Sequence, residues 1–173
     1  MRFGLLALAP AIVLGACTVP VNTTSSPSST PSTEKAPRML GATESRIFRL
    51  VNAERRRQGL PDLAYNPQLD RMARIQAENM ARFQKMAHVL PEATLPALTD
   101  RARAAEYPYA RLAENVALGY PSAETVVQGW MASKGHRANI LNRDVEETGI
   151  AIARSSAGGL YYCQVFGRRM FSL

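Results

Sequence analysis

One change of rhythm constrains this chain more than any other feature. Between about residue 43 and residue 133, three separate segments carry apolar residues at helical spacing. After that come two runs, "TGIAIAR" and "GLYYCQVFG", joined by "SSAGG". The first pattern is that of amphipathic helices and the second that of strands closed by a glycine-bearing hairpin loop. Helices first and a hairpin late predict an α+β layered domain with a small antiparallel sheet. In the helical part, Thr43 is the expected cap of a helix carrying Ile47, Leu50, Val51 and Glu54, stopped by Gly59 and Pro61. Asn66-Pro67 reads as an N-cap followed by proline at the first helical position. The helix it opens is expected over 67–87, with Leu69, Met72, Ala73, Ala77, Met80 and Ala81 inward and His88 at its end, where a continued helix would turn its ring along the buried stripe. Residues 89–112 read as irregular, with one short helix after Thr99 or Asp100. A third helix, 123–133, follows Ser122 and is stopped by Gly135, burying Val126, Val127, Trp130 and Met131.

The first 41 residues read differently. Met1-Arg2 and the 12-residue apolar run "FGLLALAPAIVL" are too short to span a bilayer and suit an export signal. The run ends in Leu14-Gly15-Ala16-Cys17, which resembles a bacterial lipobox. That assigns 1–16 to a lipoprotein signal peptide and makes Cys17 the acylated residue that holds the chain to a membrane. Residues 17–41 are rich in Ser, Thr and Pro with little to bury, as in a tether. The stretch 18–37 spans about 25 Å as a coil and roughly 60 Å if stretched as polyproline II. The folded domain is expected over 42–169, with 170–173 as a tail. Thr18 is not the aspartate that retains lipoproteins at an inner membrane, so an extracytoplasmic site on the outer membrane is expected where the host has one.

If Cys17 is acylated, Cys163 has no disulfide partner in the chain, and the domain rests on its core. The net charge is +7, with 18 Arg against 3 Lys. No long basic run or aromatic platform accompanies it, which argues against nucleic acid. "ERRRQG" reads as a solvated helix end. A monomer is expected.

Only two histidines occur, His88 and His136. Imidazoles ligate zinc and act as general acids or bases near neutral pH. Each also has an ordinary explanation: His88 on helix-end carbonyls and His136 capping a turn. No HExxH motif is present. Cys163 sits mid-strand and reads as a buried, inert thiol. Trp130 reads as core.

The segments "VNAERRRQGLPDLAYNPQLDRMARIQAENMA…H", "AENVALG", "VVQGWMASKGHRANIL", "EETGIAIA" and "YYCQVFG" follow in this order. Together they resemble the bacterial branch of the CAP superfamily, whose domain is also called SCP. It groups cysteine-rich secretory proteins, antigen 5 and pathogenesis-related proteins. The resemblance implies a three-layer α–β–α sandwich with a cleft that holds two histidines and two glutamates in eukaryotic members. His88, Glu114 and His136 fall on three of these, which makes them either a three-ligand zinc site or a general acid/base set; the ordinary alternative for Glu114 is accepting backbone N–H groups in a 111–120 loop. The fourth position, three residues after Trp130, is Ser133, a serine that bacterial members commonly carry. Glu124 and Glu147 are the candidates for a replacement carboxylate. Asn115, Arg137 and Asn139 are expected to be structural. The resemblance implies a binding module for an envelope lipid, a sterol-like molecule or a peptidoglycan-derived ligand. A metal-dependent hydrolase of peptide or cell-wall bonds, with zinc as cofactor, is the second reading. A scaffold binding a protein partner is the third.

Overall fold

The computed structural model describes residues 41–170. The expectations placed on Met1–Ala16, on Cys17 and on the tether up to residue 40 lie outside the described residues. Nine elements follow in order: α1 (Ala42–Arg57), β1 (Ala64–Tyr65), α2 (Pro67–Phe83), α3 (Leu98–Ala104), β2 (Tyr109–Leu118), α4 (Ala123–Ala132), α5 (Lys134–Ile140), β3 (Glu147–Arg154) and β4 (Leu160–Arg169). The strands form one sheet in the order β1-β3-β4-β2. β4 pairs antiparallel with both β2 and β3, and the two-residue β1 adds parallel to β3. The sheet is therefore mixed where a purely antiparallel one was expected.

Alternation along β4 builds the three layers. Tyr161, Cys163 and Val165 face α2 and α3, while Tyr162 and Phe166 face α1, α4 and α5. Successive strand side chains point to opposite faces, so one apolar strand serves two cores. On the first face Leu69, Met72, Ala73, Ala77 and Met80 of α2 are fully buried. Gly149 makes that packing possible. A Cβ there would lie 1.9 Å from the backbone nitrogen of Asp70, so α2 rests with its backbone directly on β3.

Helix ends follow their local chemistry in part. Asn66 caps α2, its side chain accepting from the N–H groups of Gln68 and Leu69, with Pro67 at the first position. Ser122 caps α4 by accepting from Thr125. Thr43 is not a cap: α1 begins at Ala42 with Gly41 at the N-cap, so Thr43 already lies in the first turn. α2 stops at Phe83, short of residue 87, because Gln84 takes the left-handed conformation (φ 50°). Gly135 does not stop α4. The break falls at the extended Ser133, and Gly135 lies within α5.

Two further expectations are corrected. The segment "YARLAENVAL" is strand β2, not loop, although it is poor in β-branched residues; pairing with β4 overrides its weak propensity. Within "ERRRQG", Arg55 is 1% exposed. Its Nη1 donates to the carbonyls of Ile140 and Asn142 (2.8 Å each) and its Nε to Pro61 (2.9 Å). This guanidinium holds the C-terminus of α5 and the turn after α1, where carbonyls are otherwise unpaired. Burial lowers its pKa.

Candidate functional site

The site is organised around Glu114. Strand parity puts Glu114 beside Leu112 and Val116, on the α2/α3 face of β2. Its side chain is only 3% exposed. A carboxylate so deep requires compensation, and three groups supply it. Arg101 of α3, itself fully buried, donates from Nη2 to Oε2 at 2.7 Å. His88 donates from Nδ1 to Oε1 at 3.0 Å. The Cys163 thiol lies 3.4 Å from Oε2 and donates to it.

His88 reaches the carboxylate from the segment between α2 and α3. The buried Gln76 of α2 steers it, donating from Nε2 to the carbonyl of Ala87 (2.5 Å) and more weakly to that of His88 (3.4 Å). The imidazole is 55% exposed, so it lies at the surface rather than along the buried stripe of an extended helix. Because an ionised carboxylate only accepts, Nδ1 carries the proton and Nε2 is the ring atom left for a ligand. The hydrogen bond to Glu114 raises the pKa of His88, against burial and the charge of Arg101.

His136 sits in the first turns of α5, whose position on β2 is set by two asparagines. Asn115 donates to the His136 carbonyl (3.1 Å), and Asn139 donates to Asn115 Oδ1 (2.9 Å) and to the Glu114 carbonyl (3.2 Å). Both asparagines are therefore structural, as expected, while Arg137 is exposed. Burial lowers the pKa of His136, and so does the charge of His88.

The Ser133 backbone N–H closes α4, and its side chain caps neither helix. Glu124 pairs with Arg46 on the surface. Glu147 accepts from Tyr107 (2.6 Å) and Asn66 (2.8 Å) at the start of β3. Neither replaces the missing carboxylate. Burial, with the Glu114 charge second, pushes the Cys163 thiol well up, which suits an inert thiol. Trp130 is core, 1% exposed.

Zinc does not fit these residues as the expected trio. Structural and catalytic zinc sites take three or four protein donors. Both oxygens of Glu114 are already engaged, one by Arg101 and one by the His88 ring. Among the described residues no group of three His, Cys, Asp or Glu side chains is arranged to hold a metal ion. The His88 ring is half-exposed and His136 is half-buried. Elsewhere, a groove of about 460 Å³ runs between α1 and α4, lined by Leu50, Val127 and Met131 among others, and contains none of His88, Glu114, Ser133 and His136.

Arg101 and Gln76 were not singled out from sequence. A signal for Arg101 existed: Leu98, Arg101, Ala102 and Ala105 recur at i, i+3, i+4 and i+7, which puts an arginine on an apolar stripe.

Comparison with known proteins agrees with this architecture. The model of the cysteine-rich secretory protein family (CAP) matches residues 48–166. A Bacillus subtilis protein, YkwD, is 33% identical over 139 residues, covering 80% of this chain and 52% of its own length. The B. subtilis membrane protein YlbC is 29% identical over 138 residues, covering 80% of this chain and 38% of its own length. The chain thus spans about half, or less, of these relatives. An extracellular SCP-domain protein of Bacillus anthracis superposes with a TM-score of 0.67 at 30% identity, over 73% of this chain and 40% of that one. An outer surface protein of Borrelia burgdorferi, at 18% identity, reaches the same TM-score over 73% of this chain and 92% of its own and shares the fold. The three layers, the order of the motifs and the family match lead to one conclusion: the chain belongs to the cysteine-rich secretory protein (CAP) family.

Proposed function

We propose that this protein is an extracytoplasmic binding module, which recognises an envelope lipid or a peptide-like, peptidoglycan-derived ligand at the surface formed by His88 and His136. One observation carries the reading. The single buried carboxylate of the site is spent on Arg101 and on orienting His88, so the site offers polar contacts without a free acid or a nucleophile. Imidazoles held against a rigid sheet, one by the Glu114 side chain and one on a helix tied to Asn115, suit recognition more than turnover. The decisive measurement is binding of purified, untagged protein to vesicles of envelope phospholipid and to soluble muropeptides. His88→Ala should weaken binding about tenfold, the worth of one directed hydrogen bond. If the wild type binds neither class, the reading fails. If it cleaves muropeptides and His88→Ala abolishes cleavage, the hydrolase reading replaces it.

The export signal and Cys17 support a lipid anchor at the cell envelope. The relatives described as extracellular, outer-surface and membrane proteins are in keeping with that location. In cells grown with an alkyne fatty acid, the wild type should label and sediment with membranes, whereas Cys17→Ser should do neither. Equal labelling of both would remove the anchor from the proposal.

A further inference from the structure

The centre beneath His88 is built to hold a cation, and the chain supplies that cation itself. The Arg101 guanidinium meets acceptors at both of its terminal nitrogens. Nη2 meets Glu114 Oε2 at 2.7 Å, and Nη1 meets the carbonyls of Pro96 (3.2 Å) and Leu95 (3.4 Å). The thiol of Cys163 lies against the same carboxylate oxygen. A carboxylate, two carbonyls and a thiol are groups that bind metal cations when space is available. Here the space is filled by a side chain that is fully buried and always charged. Its Nε has no hydrogen-bond acceptor among the described residues, so the arginine is kept there despite an unsatisfied donor.

We propose that Arg101 is the resident cation of this centre. It occupies, from within the fold, the place beside Glu114 that a divalent metal ion would need, and it makes the His88 surface metal-independent. Glu114 is then a fixed counter-ion that holds His88 Nδ1, and only His88 Nε2 and the His136 ring face a ligand. The assignment concerns what satisfies Glu114, and it stands apart from which ligand binds above it.

The test compares wild type, Arg101→Ala and the double variant Arg101→Ala/Glu114→Gln by thermal unfolding and by the ¹⁵N signals of His88, with and without Zn²⁺ or ethylguanidinium at millimolar concentration. In the wild type, Zn²⁺ should leave the His88 signals and the midpoint unchanged. Arg101→Ala should melt roughly 10 °C lower, because a buried carboxylate loses its partner. Either cation, entering the vacated space, should return about 5 °C of that loss. The double variant, with no charge to compensate, should melt above Arg101→Ala and respond to neither cation. A wild type that takes up stoichiometric Zn²⁺, with the uptake lost in Glu114→Gln, overturns the proposal even if Arg101→Ala does not fold. So does a folded Arg101→Ala whose midpoint ignores both cations. Ligand binding that disappears in chelator also overturns it and leaves the binding reading intact. A wild type that binds neither vesicles nor muropeptides sinks that reading instead, and the metal titrations still decide this one.

Discussion

At the scale of single residues, the two histidines titrate in opposite directions. For His88 the folded pKa lies above the ordinary value of 6.5. The stability that charged His88 gains beside Glu114 is therefore complete below pH 6.5 and is lost as the pH rises through the folded value. For His136 the folded pKa lies below 6.5. The unfolded chain then takes up the proton more readily, and stability falls as the pH drops below 6.5. A proton NMR titration should resolve two imidazoles with midpoints on either side of that value, and Glu114→Gln should bring His88 down. Coincident midpoints in the wild type would contradict the geometry. Glu114→Gln should also cost about 3–5 kcal/mol in chemical denaturation, because it leaves the buried Arg101 charge without its partner. The grouping of His88, Glu114 and His136 was legible only through the ordered motifs, since nothing in the spacing of 88, 114 and 136 brings them together. Arg101 escaped notice because two arginines in "TDRARA" look alike until a helix phase turns one inward.

At the scale of elements, the sheet and α2 form the rigid base of the site. The close approach at Gly149 tests this directly. Gly149→Ala should cost about 3 kcal/mol or more in urea unfolding, since no flexible side chain can move aside for the new methyl group. A change below about 0.5 kcal/mol would mean that α2 does not rest on β3 as described. The late hairpin, α2 with its Asn66 cap and α4 with its Ser122 cap were readable because each carries its own period and start signal. β2 was not, because "YARLAENVAL" has no apolar alternation of its own and becomes a strand by pairing with β4. The end of α2 was misplaced because Gln84 is an ordinary helix former, and its left-handed turn follows from where the next segment must go.

At the scale of the whole molecule, Arg55 links α1, the turn at Pro61 and the end of α5. Arg55→Met keeps much of the volume but leaves three carbonyls without their donor. It should destabilise the domain by on the order of 3 kcal/mol and loosen α5, so that His136 amide exchange quickens more than that of α2. Equal quickening everywhere would show only global destabilisation. The sequence by itself determined the order of helices and strands, the two principal helix caps, the buried thiol and, through its motifs, the family. Those features depend on local periodicity and on residue types that act within a turn or two. Only the tertiary structure decided that Glu114 is closed by Arg101, that Arg55 is a buried strut, and that the His88 ring is half-exposed. Each depends on which side of an element faces a neighbour distant in sequence, and packing sets that.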